Sequence, residues 1–165
     1  AYKSAEIVRL MVKEDWDLHV IMTRHATHFV GELTFRTISR NPVGLDMFAE
    51  RPAWCPEHIE LADTASAFVI APATGNLLAK YAHGIADDLL TSTLLATEAP
   101  VAIAPAMNGK MWDHAATQEN VRILKDRGVS FIHPDEGDLA CGYEGVGKMA
   151  SPEMVLAAVK RVVAG

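Results

Sequence analysis

Apolar and polar positions along the chain fall into blocks whose period switches between helical and extended spacing. Residues 1–14 place Ile7, Leu10 and Met11 at helical spacing and end in Lys13 and Glu14, which predicts an amphipathic helix. Residues 16–22 read as a short strand, left by Thr23, Arg24 and His25. A second short helix is expected over 29–39, stopped at Asn41-Pro42 because a proline disfavours helical geometry in the residue before it. Residues 43–48 suggest a small strand, 49–56 a loop holding two prolines and a tryptophan, and 57–65 a short helix. Two apolar runs, 67–71 and 101–104, meet Pro72 and Pro105. Proline removes a ladder donor and fixes φ, so both runs are expected to be strands that stop there. Between them, 76–96 reads as one long apolar helix containing Gly84. Residues 117–127 predict a helix followed by Gly128, and 129–132 a strand ended by His133-Pro134. Residues 135–149 read as a loop with four glycines, and 152–163 as a closing helix with Ser151 as N-cap and Pro152 at its first position.

Strands alternating with helices imply a parallel sheet covered on both faces, a doubly wound α/β domain. Such a domain usually opens with a strand whose following turn contacts the ligand. This chain opens inside a helix, so a first strand and a glycine-rich turn are expected to precede Ala1. The 165 residues suit one domain, 1–165, with a sizeable core. A formal net charge of −6 argues against a general affinity for nucleic acid or anionic lipid. No apolar run approaches the ~20 residues that span a bilayer, and no stretch reads as a signal peptide. The two cysteines, Cys55 and Cys141, are far apart in unlike contexts; they make neither a metal pattern nor a disulfide framework, which points to a reducing, cytoplasmic setting.

Two strand ends resemble each other: Ala71-Pro72-Ala73-Thr74-Gly75-Asn76 and Ala104-Pro105-Ala106-Met107-Asn108-Gly109. Small residues let a backbone approach a flat ligand closely. A helix start after such a turn offers free N–H groups and a positive dipole end, suited to a phosphate or an anionic ring. Either turn alone is no more than a proline-ended strand with a polar turn; the pair, on strand ends expected to be neighbours, favours a ligand site just beyond the sheet, where open α/β sheets bind. His58 reads either as a general base near a helix start or as one of seven ordinary histidines, and composition favours the second. Cys141 lies in a glycine-rich stretch where a thiol could deliver a proton or act as a nucleophile, or could be a small buried residue; the two readings weigh evenly. Lys148 could bind an anion or do nothing specific. Met107, Met111 and Trp112 could floor a flavin pocket, although their types favour core.

Taken together, the chain resembles the homo-oligomeric flavin-containing cysteine decarboxylases. Four stretches carry the likeness: Glu57-His58-Ile59-Glu60-Leu61; Ala71 to Asn76 with Gly84-Ile85-Ala86-Asp87-Asp88-Leu89-Leu90 behind it; Pro105-Ala106-Met107-Asn108-Gly109-Lys110-Met111-Trp112; and the stretch around Cys141. Ala1-Tyr2-Lys3-Ser4 is similar to the tail of the family's opening glycine-rich turn. The resemblance implies a flavodoxin-like fold that binds FMN between subunits of a homotrimer, often assembled into a dodecamer. It implies that Thr23, Arg24, His25, Thr74, Gly75, Asn76, Leu77 and Ala106 touch the flavin. His58 would be the active-site base, Asn108 would hold the substrate carboxylate with Met107 and Lys148 nearby, and Cys141 would be the proton donor on a loop that closes over the substrate. The substrate so implied is 4′-phosphopantothenoyl-L-cysteine, decarboxylated to 4′-phosphopantetheine in coenzyme A biosynthesis. A peptide-modifying relative that oxidatively decarboxylates a C-terminal cysteine is a second reading, and Cys141 speaks against it because stopping at the enethiol needs no proton donor. A third is a flavin-binding subunit without turnover. The chain departs from the family in having Tyr143 at a usually acidic loop position, Gly75 for a common alanine, and Lys148 where arginine is frequent.

Overall fold

A computed structural model describes residues 1–49, 55–138 and 144–164. The chain divides into two compact units, one formed by residues 1–65 and 85–99, the other by 66–84 and 100–165.

In the first unit, helix α1 (Tyr2–Val12) turns Ile7 and Met11 inward, the face set by the helical spacing. Strand β1 (Val20–Ile21) pairs in parallel with β2 (Val43–Gly44) across helix α2 (Glu32–Ser39), which packs on α1 and buries Phe35. Both strands are shorter than the apolar runs that predict them. The expected helix of 29–39 begins later, at Glu32, after a 3-10 turn (Ala26–His28), and Arg40 in the left-handed region ends it just before Asn41-Pro42. Asn41 ties the crossover down: its Nδ2 donates to Asp17 Oδ1 at 2.7 Å and to the Leu18 carbonyl at 3.0 Å. The first of these bonds, with help from His19, holds the Asp17 carboxyl below its ordinary value. Helix α3 (Glu57–Thr64) packs on a later helix of this unit, and Thr97 Oγ1 donates to the Ala62 carbonyl at 3.1 Å between the two segments.

In the second unit, β3 (Phe68–Ala73), β4 (Val101–Pro105) and β5 (Ser130–Phe131) form a parallel sheet in the order β3-β4-β5. Every residue of β4 is buried, as the unbroken run Val-Ala-Ile-Ala requires of a central strand. Helix α4 (Gly75–His83) follows β3, and α7 (Ala115–Asp126) packs against it. Arg127, just past the end of α7, donates from Nη1 to the Ala82 carbonyl in the last turn of α4 at 2.8 Å. Tyr81 beside it is half-buried, and burial pushes its hydroxyl above the usual phenol value. The closing helix α8 (Pro152–Ala164) starts where Ser151 Oγ accepts from the Met154 N–H at 3.2 Å, as expected, and packs on β4. Leu78, Ile103, Leu124, Val155 and Val159 are fully buried here, each contributing ~1.5–3 kcal/mol of transfer free energy.

Three sequence expectations change. The strand of 67–71 does not stop at Pro72: β3 runs on to Ala73 through a cis Ala71-Pro72 bond, and the register shift between Ile70 and Ala73 leaves the donor-less proline out of the ladder. The single helix of 76–96 is two, α4 and α5 (Leu89–Ala96). Gly84 takes a left-handed φ of 68° as the C-cap of α4, and Asp88 starts α5 with a reciprocal capping box to Thr91. The stretch 135–149 is not all loop: β6 (Asp135–Asp138) and β7 (Glu144–Lys148) pair antiparallel, flanking residues outside the described set. Among the described residues no helix is long and apolar enough to cross a membrane.

Candidate functional site

The second unit brings the two Ala-Pro-Ala turns side by side. Ala73 and Pro105 are register partners, and the Ala106 N–H donates to the Ala73 carbonyl at 2.9 Å. Thr74 is the N-cap of α4, its Oγ1 accepting from the Leu77 N–H at 3.3 Å, so the turn becomes a helix start as its threonine dictates. Leu77 is buried, whereas Thr74 and Asn76 are exposed. The Met107 sulfur lies 3.8 Å from where a Gly75 Cβ would stand, so the methionine covers that turn.

Asn108 starts the four-residue helix α6 (Gly109–Trp112). Its Oδ1 accepts from the Lys110 N–H at 2.9 Å, and its carbonyl accepts from Met111 and Trp112, both at 2.9 Å. With Oδ1 serving as the cap, Nδ2 is the donor end of the same amide. Trp112 is buried with its ring edge-on to His133 at 5.9 Å, and Gln118 Nε2 donates to its carbonyl at 2.6 Å. Trp112 thus serves as core, as its type favours, and anchors the turn. Met111 is exposed.

A contact that sequence reasoning missed comes from β7. The Met107 N–H donates to the Gly147 carbonyl at 3.0 Å, so the strand after the Cys141 stretch is bonded to the Asn108 turn. The only available signal was the Glu-Gly-Val-Gly-Lys pattern, which looks like loop. Lys148 is exposed, and its Nζ lies 3.7 Å from where a Gly137 Cβ would stand, folded over the partner strand β6. Cys141 and Tyr143 lie outside the described residues.

The remaining candidates belong to the first unit. Thr23 Oγ1 accepts from the Ala26 N–H at 3.2 Å and so shapes the turn after β1; Arg24 and His25 beside it are exposed. His58 lies in the first turn of α3, half-buried. Its Nδ1 is shielded from solvent and has no hydrogen-bond partner among the described residues. A buried ring nitrogen without a partner is uncommon and calls for an explanation, which an ordinary surface histidine does not supply. A cavity of about 280 Å³ in this unit is lined by His19, Pro42, Gly44, Glu57, Glu60 and Thr64 among others, and His58 is not part of its wall. Cys55 is half-buried, its Sγ 3.7 Å from the Pro56 carbonyl, without a role in this arrangement.

Small-residue turns at neighbouring parallel strand ends, followed by helix starts, are the pattern of a flavodoxin-like α/β protein. Residues 1–164 match the family model described as Flavoprotein, and the chain belongs to that family. It is 46% identical over 155 residues to the Coenzyme A biosynthesis bifunctional protein CoaBC of Bacillus subtilis, covering 94% of this chain and 38% of the relative. The CoaBC protein of Mycobacterium tuberculosis is 43% identical over 155 residues, covering 94% of this chain and 37% of the relative. The chain therefore spans a little over a third of the length of the curated relatives it matches. Among solved structures, a cysteine-to-serine mutant of PPC decarboxylase complexed with pantothenoylaminoethenethiol superposes with a TM-score of 0.84 at 29% identity, covering 98% of this chain and 93% of the other. The FMN-dependent cysteine decarboxylase SpaF superposes at 0.81 with 30% identity, covering 96% and 90%.

Proposed function

We propose that this chain is an FMN-dependent decarboxylase that converts 4′-phosphopantothenoyl-L-cysteine to 4′-phosphopantetheine, a step of coenzyme A biosynthesis. The observation that carries the reading is the 46% identity to CoaBC across 94% of the chain, which coincides with the fold match to a PPC decarboxylase complexed with pantothenoylaminoethenethiol. The residues present fit FMN: the paired turns Ala73-Thr74-Gly75 and Pro105-Ala106 carry small side chains where a flat ring must come close, and His58 Nδ1 is a buried polar atom without a hydrogen-bond partner among the described residues. Thr74, Gly75, Asn76, Leu77 and Ala106, with Thr23, Arg24 and His25, would hold it. When bound, FMN supplies the reversible two-electron chemistry that makes the cysteinyl carbon next to sulfur an electron sink for the departing CO2.

The chain supplies placement and protons. His58 accepts the proton of the substrate thiol through its ring nitrogen. Asn108 Nδ2 donates to the substrate carboxylate while Oδ1 keeps its place as a helix cap. A neutral donor suits this step, because a strong ion pair would stabilise the very charge that must disappear. Cys141 Sγ returns a proton to the carbon that has lost CO2, which lets the reaction end at the saturated product rather than the enethiol. Met107 and Lys148 line the substrate side. Residues 1–165 act as one flavoprotein domain in a cytoplasmic homotrimer or dodecamer. The peptidyl-cysteine alternative is disfavoured by Cys141, because a reaction that stops at the enethiol needs no proton donor.

The test is direct. The protein loaded with FMN is incubated with 4′-phosphopantothenoyl-L-cysteine and the product is weighed by mass spectrometry. Loss of CO2 with no net oxidation is expected. A product lighter by a further two hydrogens would favour the oxidative reading, and unchanged substrate with bound flavin would favour a subunit without turnover.

A further inference from the structure

The backbone around Asn108 is held on two sides, and one of them depends on a residue that has no side chain. Ala106 bonds to the end of β3, and Met107 bonds to Gly147 on β7. Gly147 is buried, with φ at +149°, a region that L side chains rarely adopt. A Cβ at this position would stand 2.2 Å from the Met107 carbonyl oxygen and 3.3 Å from the Gly109 nitrogen, against backbone on both counts. Neither group can swing away, so a methyl at 147 must push β7 off the turn. Its strand neighbour Gly145 differs in this respect: nothing lies within 4 Å of a Cβ there.

We infer that Gly147 is a positioning residue for Asn108: its bare backbone lets β7 seat against the 107–109 turn and fixes where the Asn108 amide meets the substrate carboxylate. The inference deepens the decarboxylase reading and rests on it. A misplacement of roughly 1 Å in such a group lowers rates on the order of 10²-fold. Gly147→Ala should therefore lower kcat/KM about 100-fold, while Gly145→Ala leaves it near wild type. Because Gly147 acts through Asn108, the losses should not add: in an Asn108→Ala background, Gly147→Ala should cost less than about threefold more. The inhibition constant of 4′-phosphopantetheine, which lacks the carboxylate, should hardly move.

The experiment compares the four variants of that cycle in the FMN-loaded protein. Full additivity, an unchanged kcat/KM for Gly147→Ala, or equal weakening of 4′-phosphopantetheine would each overturn the inference. Should Gly147→Ala fail to fold, replacing Met107 by its α-hydroxy acid analogue removes the N–H that bonds Gly147 without adding a side-chain atom; a loss of roughly fivefold in kcat/KM, abolished in the Asn108→Ala background, is then expected. Should the wild type form no product, the decarboxylase reading falls separately. The side-chain amide resonance of Asn108 then decides: it must move with Gly147→Ala and stay put with Gly145→Ala.

Discussion

Replacing Asn108 by Asp separates the two tasks that one side chain performs. As a cap, Asn108 accepts from the Lys110 N–H through Oδ1 at 2.9 Å. Aspartate keeps an acceptor at that place and ranks with asparagine as an N-cap, so Asn108→Asp should melt within about 1 °C of wild type. Asn108→Ala should lose ~1 kcal/mol, or about 2–4 °C for a chain of this length. In the proposed reaction, Asn108 would offer Nδ2 to the substrate carboxylate. Losing a hydrogen bond to a charged group costs ~1.5–3 kcal/mol, hence roughly 10- to 150-fold in kcat/KM for Asn108→Ala. Asn108→Asp loses the same bond and adds repulsion between two carboxylates, ~4 kcal/mol at 4 Å with an effective dielectric near 20. Its kcat/KM should fall by about 10³-fold or more. Stability and activity thus rank the two variants in opposite orders. Thermal melts, flavin absorbance and product formation on the same preparations read both scales. An Asn108→Asp protein within about threefold of wild-type kcat/KM would refute the donor role, and one that melts as low as Asn108→Ala would refute the cap.

His58→Asn should retain flavin yet slow its anaerobic bleaching by substrate on the order of 10²–10⁴-fold; bleaching at the normal rate removes His58 from the chemistry. Asp88→Ala takes away the acceptor for the Thr91 N–H at 2.8 Å and should cost ~1–2 kcal/mol in urea unfolding, with Asp88→Asn recovering most of it. Leu78→Ala empties a fully buried position and should cost ~2.7–5 kcal/mol; an unchanged denaturation midpoint would contradict the packing. The Asp17 carboxyl is held below its ordinary value of 3.8, chiefly by Asn41, so its contribution to stability is complete above that value and lost as pH falls through the lower folded one. Asp17→Asn should flatten the acid limb of the melting temperature below about pH 4, and an identical limb in both proteins would remove the Asp17–Asn41 bond from the account.

The residues whose burial follows from their own apolar run were legible at once. Val101 to Ala104 forms a central strand because nothing in it wants water, and Ser151-Pro152 starts a helix because both residues suit that place and no other nearby. The break between α4 and α5 was hidden by composition. Leucines and alanines run on either side of it, and the stop rests on one backbone conformation at Gly84 and one cap at Asp88. The extension of β3 through Pro72 was hidden because the strand tolerates its proline by a register shift that only the partner strand reveals. The hairpin β6–β7 lacks hydrophobic alternation, since its pairing rests on backbone and glycine contacts. For the site, the doubled Ala-Pro-Ala pattern and Asn108 could be read from residue chemistry. Gly147 could not, because its importance lies in the atom it does not have.

The bond from Arg127 to the Ala82 carbonyl gives this geometry a second anchor. The paired turns are joined at the sheet by Ala106 and Ala73, and the helices α4 and α7 are clasped at their far ends by one guanidinium. Removing the guanidinium with Arg127→Ala should therefore speed amide exchange at the paired turns as well as at the helix tails, and faster exchange at the tails alone would show the two fastenings to be independent.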